Sequence, residues 1–163
     1  SSQLVLHARD LGIGAVVAAS ALGIQGLATT LGRLLAGLLG DNTFEPRAIF
    51  IFGISSELLG MLLITNASNS ILLYTGVVFF GLGFGLGLVS ATTLFANYYG
   101  AQNMATLLSY RILLGTLLGG AGVVVCGYAA DIFGGYSQAF YFYSAVLLIG
   151  TALVIMIRTP QHE

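Results

Sequence analysis

Long apolar segments make up most of this chain, and short polar stretches separate them. A helix of about 20 residues crosses the hydrocarbon core of a bilayer. The pattern predicts five membrane-spanning helices, at residues 11–39, 48–66, 71–96, 104–130 and 139–157. Lipid-facing strands alternate apolar and polar positions over about ten residues, whereas these segments are continuously apolar. The predicted fold is therefore an all-α, polytopic transmembrane bundle.

Turn-forming residues mark the connections, at residues 41–47, 66–70, 97–103 and 131–136. With alternating spans, Arg47 and Arg158 fall on one side of the membrane and Arg9 on the other. Basic residues favour the cytoplasmic side, so we expect a cytoplasmic C-terminus in a plasma or inner membrane.

The first residues do not look like the start of a protein. The chain opens Ser-Ser-Gln without Met, and residues 1–8 end in a short apolar stretch typical of the end of a preceding helix. We expect residues 1–163 to be one part of a larger helical bundle.

Composition excludes several classes of protein. The chain has five basic and six acidic residues, 57% hydrophobic residues and a mean hydropathy of +0.96. So few charges cannot cover a water-exposed surface, and the bilayer is the expected surrounding. A net charge of −1 excludes an electrostatic nucleic-acid binder. A single cysteine, Cys126, excludes an internal disulfide and a cysteine-ligated cluster, and we expect no cofactor.

Two arginines lie inside predicted spans. Arg33 is eight residues before Asp41 and Arg111 is eight after Asn103, so each lies about 10–12 Å inside the same membrane face. Two cations at equal depth in an apolar interior indicate an anion between them, and a guanidinium binds a carboxylate through two hydrogen bonds. The alternative for Arg33 is that it reaches the headgroups or pairs with Asp41.

Glu57 is the only acid well inside a span. Small or polar residues at Gly53, Ser56 and Gly60 share its helix face, so its carboxyl should point at a neighbouring helix. It is either a proton-linked group of the transport cycle or a hydrogen-bonded packing residue.

Alternating glycines from Gly81 to Gly87 look superficially like a nucleotide-binding loop, but no strand–turn–helix unit surrounds them. The pairs Gly81/Gly85, Gly83/Gly87 and Gly115/Gly119 instead predict close helix packing.

Enzymes that work within the membrane are also disfavoured. His7 and His162 are terminal and Asp41 is at a span end, so neither a serine nor an aspartyl protease site is formed. No span carries a pair of metal ligands one turn apart, so no metal site is predicted.

Residues 32–41 read Gly-Arg-Leu-Leu-Ala-Gly-Leu-Leu-Gly-Asp, residues 97–100 read Asn-Tyr-Tyr-Gly, and further glycine-containing stretches follow at residues 119–122 and 127–136. In these motifs the chain resembles the major facilitator superfamily. The resemblance implies that the five spans are helices 8 to 12 of a twelve-helix transporter, with residues 1–8 at the end of helix 7. It also implies a gating loop that involves Gly37, Asp41 and Arg47.

Within that superfamily the chain is most similar to the oxalate/formate antiporters and monocarboxylate transporters. Arg33 stands four residues before Gly37, and Arg111 stands four before Gly115 and eight before Gly119-Gly120. The resemblance implies that both cations line the central cavity and bind the substrate carboxylate. It implies further substrate contacts from cavity-lining helices, with the main candidates Gln25, Tyr74 and Tyr110 and lesser ones Ser90, Thr93 and Asn97.

Some positions depart from these families. Thr29 stands where monocarboxylate transporters have an acid, and Arg47 alone represents the basic run of the gating loop. The resemblance also makes the helix of Glu57 peripheral, which weakens its transport role.

The sequence thus predicts a fragment of a secondary active transporter, not an enzyme. It would move a small mono- or dicarboxylate by alternating access against the missing N-terminal half. The alternative is a stand-alone five-helix membrane scaffold or assembly subunit without transport activity.

Overall fold

A computed structural model describes residues 15–42, 44–133 and 137–156. Five α-helices fill these ranges: α1 Ala15–Asn42, α2 Pro46–Thr65, α3 Ser70–Tyr99, α4 Met104–Phe133 and α5 Ser137–Met156. A short 3₁₀ turn, Ala101–Asn103, joins α3 to α4. The described ranges contain no strand, and the predicted all-α fold is confirmed.

Four helices contain segments long and apolar enough to cross a membrane: Ala19–Gly40, Pro46–Thr65, Ser70–Tyr99 and Met104–Gly122. The described part of α5 contributes a shorter apolar stretch, Tyr143–Ala152. All five predicted spans are therefore helical over their described residues, and the apolar length that a bilayer requires is met in α1 to α4. Residues 11–14 of the first predicted span, residue 157 of the last and the predicted helix end at residues 1–8 lie outside the described residues.

Local chemistry sets the ends of the helices. Pro46 occupies the first turn of α2, where its missing N–H costs nothing. The Asn69 side chain accepts a hydrogen bond from the Leu72 N–H (2.8 Å) and caps α3. Gly100 has a φ of 75° and ends α3, because other residues rarely adopt that backbone conformation.

Helix α3 is the centre of the bundle, with α1 and α2 packed along two of its sides. A Cβ atom placed on Gly81 would lie 2.7 Å from the Gln25 carbonyl oxygen, and one on Gly85 would lie 2.9 Å from the Arg33 nitrogen. These glycines therefore let the α1 backbone touch α3, as helix packing in membranes requires.

A second set of α3 glycines packs against α2. A Cβ atom on Gly83 would lie 2.9 Å from the Glu57 Cα, and one on Gly76 would lie 2.9 Å from the Ile64 nitrogen. Residues two positions apart on a helix point in nearly opposite directions, so Gly83 and Gly85 serve different partners. The predicted close packing of this glycine segment is confirmed, since Gly81, Gly83 and Gly85 lie against neighbouring backbones and the Gly87 nitrogen would lie 2.9 Å from a Cβ atom on Gly53 of α2.

Apolar side chains fill the space beyond the glycines at both ends of the three-helix unit. One buried cluster consists of Ala21, Ile64, Ala67, Leu73 and Val77. The other consists of Ala36, Ile49 and Leu86. Together with the glycines they hold α1, α2 and α3 as one packed unit.

The last two helices are attached less extensively. Helix α5 packs mainly on α2, and α4 makes limited contact with α3 and α5. Within the described residues, a Cβ atom on Gly115 or Gly119 would meet nothing within 4 Å. The predicted close packing at Gly115/Gly119 is therefore absent from the described part of the chain, because no helix there lies against that face of α4.

Candidate functional site

Arg33 lies in a cavity of about 370 Å³ on the α1 side of the bundle. Gln25, Thr29 and Arg33 are spaced by four residues and therefore share one face of α1. The remaining lining residues are Leu22, Gly26 and Thr30 of α1 and Phe84 of α3. The cavity thus combines one cation with an amide and two hydroxyl groups in an otherwise apolar chain.

The backbone beneath this cavity is held firmly. Gly81 and Gly85 bring α3 against the backbone of α1 at Gln25 and Arg33. Thr30 donates its hydroxyl hydrogen to the Gly26 carbonyl oxygen (3.0 Å), which leaves the lone pairs of that hydroxyl available. The polar side chains of the cavity are therefore carried by a closely packed part of the α1 backbone.

The Arg33 side chain is exposed and has no hydrogen-bond or ion-pair partner among the described residues. Its alternative partner, Asp41, is in the last turn of α1, but the Asp41 side chain lies outside what the structure describes. The pairing of Arg33 with Asp41 therefore stays a prediction.

Arg111 is the second intramembrane cation, and it contacts α3. Its Nη1 donates a hydrogen bond to Thr92 Oγ1 at 3.1 Å, and both residues are half-buried. The Thr92 hydroxyl itself donates to the Leu88 carbonyl oxygen at 2.9 Å. A neutral hydroxyl is thus the described partner of this charge.

Both arginines meet the same helix, at different levels. The backbone of Arg33 lies beside Gly85, and the guanidinium of Arg111 contacts Thr92. Thr92 is seven residues, or about 10 Å, further along α3 than Gly85. Seven residues are close to two full turns, so the two contacts share one face of α3. Helices α1 and α4 pack on α3 separately, with little contact between them in the described ranges.

Thr92 is a contact that the sequence did not single out, although the neighbouring Ser90 and Thr93 were considered. Ser90 donates to the Leu86 carbonyl oxygen and is buried, and Thr93 donates to the Val89 carbonyl oxygen. A usable signal was present, since Thr92 follows Gly85 by seven residues and therefore continues the glycine face toward the end of α3.

The other predicted substrate contacts lie apart from the Arg33 cavity, except Gln25. Tyr110 precedes Arg111 and is 61% exposed. The Tyr74 hydroxyl shares a hydrogen bond of 2.7 Å with Ser20, which is 13 residues or about 20 Å from Arg33 along α1. Both tyrosines stay predictions as substrate contacts.

Glu57 is enclosed by three helices and is only 7% exposed. The Tyr143 hydroxyl on α5 donates to its Oε1 at 3.0 Å. The backbone of Glu57 lies against Gly83 of α3. The predicted orientation of this carboxyl toward a neighbouring helix is confirmed, and its partner is a tyrosine that the sequence did not single out.

The residues of the expected gating loop are largely helical. Gly37 and Asp41 both lie in α1, and Gly37 is half-buried with no atom near its missing Cβ. Arg47 is in the first turn of α2 and lines a second cavity of about 290 Å³. The other lining residues are Phe50, Ala91, Leu94, Phe95, Tyr98 and Tyr99.

Comparison with known families shows which family this chain belongs to. The profile of the Major Facilitator Superfamily matches residues 2–163, nearly the whole chain. This chain belongs to the Major Facilitator Superfamily. Searches of curated proteins and of solved structures found no match.

Membership in the Major Facilitator Superfamily indicates a transporter-type function, and with the apolar helices it indicates a membrane protein. The all-helical architecture is consistent with a partial bundle of a superfamily member. Within a transporter, charged groups inside the membrane mark the places where a substrate or ion is bound.

Proposed function

We propose that this chain is the C-terminal part of a secondary active transporter that moves a small mono- or dicarboxylate across the membrane. The observation that carries the proposal is the cavity of Arg33, in which a cation without a described partner shares one helix face with Gln25 and Thr29. Rocking of this bundle against an N-terminal half would give the substrate access to each side in turn.

Charge is the first argument for an anionic substrate. An arginine remains protonated in a protein, so a guanidinium in an apolar segment keeps its cost of desolvation unless an anion binds it. A carboxylate matches the guanidinium through two parallel hydrogen bonds. A neutral substrate would leave that cost uncompensated.

Size and lining are consistent with a small organic acid. A volume of about 370 Å³ is near the lower end of the range for small-molecule sites. Gln25, Thr29 and Thr30 supply donors and acceptors that can orient the rest of the molecule, and Phe84 supplies an apolar wall. A few polar groups on a mostly apolar wall are typical of such sites.

Arg111 is proposed as the second cation. It uses Nη1 on Thr92, and a guanidinium has five N–H donors, so donors remain for a carboxylate. Thr92, which it contacts, lies on the same face of α3 as Gly85, the residue beside Arg33, and about two turns further along the helix. In this proposal Arg33 and Arg111 bind substrate together as the bundle closes around it.

The test is uptake by the complete protein with Arg33→Gln or Arg111→Gln. Each variant should lower carboxylate uptake by at least about 30-fold, equivalent to ~2 kcal/mol of lost binding, while the amount of protein in the membrane stays unchanged. Arg158→Gln makes the same change of charge beyond the last predicted span and should transport normally.

Thermal stabilisation of the purified protein by formate, acetate, lactate, oxalate and succinate identifies the substrate class independently. Stabilisation by one of these acids, lost in both arginine variants, supports the proposal. Normal uptake by either arginine variant, or stabilisation only by uncharged solutes, contradicts it.

A further inference from the structure

The Thr92 hydroxyl makes one hydrogen bond within α3 and one to Arg111 of α4. It donates to the Leu88 carbonyl oxygen at 2.9 Å and accepts from Arg111 Nη1 at 3.1 Å. A hydroxyl has one hydrogen, and the Leu88 carbonyl takes it, so the lone pairs of Oγ1 are left to face the guanidinium. Thr92 is therefore an acceptor of fixed direction for Arg111.

The threonine side chain is suited to holding such a direction. Its branched Cβ restricts rotation about χ1, and the bond to a carbonyl one turn back selects the rotamer in a helix. The arginine, by contrast, has a long side chain with many rotamers. The hydrogen bond therefore restrains the flexible Arg111 side chain through the less flexible Thr92 side chain.

Arg111 is half-buried, whereas the residues that follow it on α4, Ile112, Leu113 and Leu114, are all more than half exposed. In the described ranges the bond to Thr92 is the side-chain hydrogen bond that ties Arg111 to another helix. This bond thus decides where the guanidinium lies relative to α3.

A neutral acceptor has a further consequence for charge. A carboxylate partner would cancel the charge of Arg111, whereas a hydroxyl orients the guanidinium and leaves its charge intact. Most of its N–H donors also remain unused by Thr92. The arrangement therefore prepares Arg111 for an anion that comes from outside the protein.

We propose that Thr92 is a positioning residue that holds Arg111 ready to bind the carboxylate substrate. The proposal rests on the proposed function, because it assigns Thr92 a role through Arg111. Thr92 itself is not assigned a contact with substrate.

The test compares Thr92→Val and Thr92→Ser in the complete protein. Valine keeps the shape and removes the acceptor, whereas serine keeps the oxygen. Thr75→Val is the matched control on α3, because Thr75 makes the same bond to a carbonyl one turn back (Ile71, 2.9 Å) and is not part of the candidate site. The probe is the acid among formate, acetate, lactate, oxalate and succinate that stabilises the wild-type protein most.

Thr92→Val should raise the KM for this acid about tenfold, as expected for the loss of one hydrogen bond to a charged group, and should leave kcat within about twofold. Its melting temperature without substrate should stay near that of the wild type, while the stabilisation by substrate becomes smaller. Thr92→Ser should restore the KM, and Thr75→Val should leave it unchanged.

An unchanged KM in Thr92→Val would overturn the inference, as would a raised KM that serine does not restore. A lower melting temperature without any change in KM would show that Thr92 serves helix packing alone, which also overturns it. These results are distinct from failure of the proposed function, which would appear as normal uptake by Arg111→Gln.

Discussion

Glu57 of α2 and Arg33 of α1 have backbones that lie against the same stretch of α3, yet their side chains have contrasting surroundings. Glu57 is 7% exposed and accepts a hydrogen bond from Tyr143, whereas Arg33 is exposed in a cavity without a described partner. A charge in an apolar segment is therefore not functional by its depth alone. What distinguishes the two residues is whether the fold already supplies a partner.

The two faces of one glycine segment produce this difference. Gly83 points to α2 and lets the Glu57 backbone touch α3, so that α5 can close over the carboxyl through Tyr143. Gly85 points to α1 and holds the Arg33 backbone, but no further described helix covers the guanidinium. These contacts favour a packing role for Glu57 and a binding role for Arg33.

The largest expected effect comes from filling the space between the helices. In Gly83→Ala the new Cβ would lie 2.9 Å from the Glu57 Cα, and backbone atoms cannot rotate away. We expect a loss of ~3 kcal/mol in stability, seen as a strongly lowered melting temperature of the purified protein. Gly23→Ala is the matched control, since nothing lies within 4 Å of its missing Cβ. Equal melting temperatures for the two variants would contradict the tight α2–α3 contact.

Truncation of the two charges should have reciprocal effects. Glu57→Ala removes a buried side chain that accepts the Tyr143 hydrogen bond and should cost ~2 kcal/mol of stability, whereas Arg33→Ala should cost less than about 0.5 kcal/mol. Uptake should show the reverse order, with Arg33→Ala inactive and folded Glu57→Ala protein still active. Melting temperature and uptake per folded molecule, measured side by side, check both halves of the prediction.

Glu57→Gln separates the two roles considered for this residue. The amide oxygen still accepts the hydrogen bond from Tyr143, but the side chain can no longer carry a proton. Unchanged uptake at all pH values is expected for a packing residue. Loss of uptake in a stable Glu57→Gln protein would instead assign Glu57 a proton-linked role and remove the contrast with Arg33.

The smallest effect concerns the hydroxyl that joins α5 to α2. Tyr143→Phe removes the donor to Glu57 and should cost ~1 kcal/mol of stability without changing uptake. Tyr128→Phe is a suitable control, because Tyr128 is 70% exposed and has no described partner. If Tyr143→Phe melts at the same temperature as the control, the bond to Glu57 does not stabilise the α2–α5 contact.

The helices themselves were predictable, because continuous apolar length is visible in the chain. The second span, predicted at residues 48–66, is Pro46–Thr65 in the structure, and the first was predicted to end at residue 39 but continues to Asn42. The ends differ because a helix continues through polar residues until a proline, a cap or a glycine stops it. Gly100 is such a stop at the end of α3, and Pro46 marks the start of α2.

Contacts between helices were less predictable. The sequence indicated close packing equally at Gly81/Gly85 and at Gly115/Gly119, and only the first pair has a described neighbour. Small residues show where a helix can approach, but the approach itself depends on which helices are adjacent. For the same reason Thr92 and Tyr143, whose partners lie 19 and 86 residues away, were not singled out.

By itself the sequence determined that this chain lies in a membrane as a set of apolar helices, and it located three charges inside the spans. It did so because apolar length and rare charges are properties of single segments. Only the tertiary structure decided that Glu57 has a partner on α5, that Arg111 is held by Thr92, and that Arg33 opens into a mostly apolar cavity with a few polar groups. Those environments are made by residues from different helices, and they exist only once α3 has brought its neighbours together.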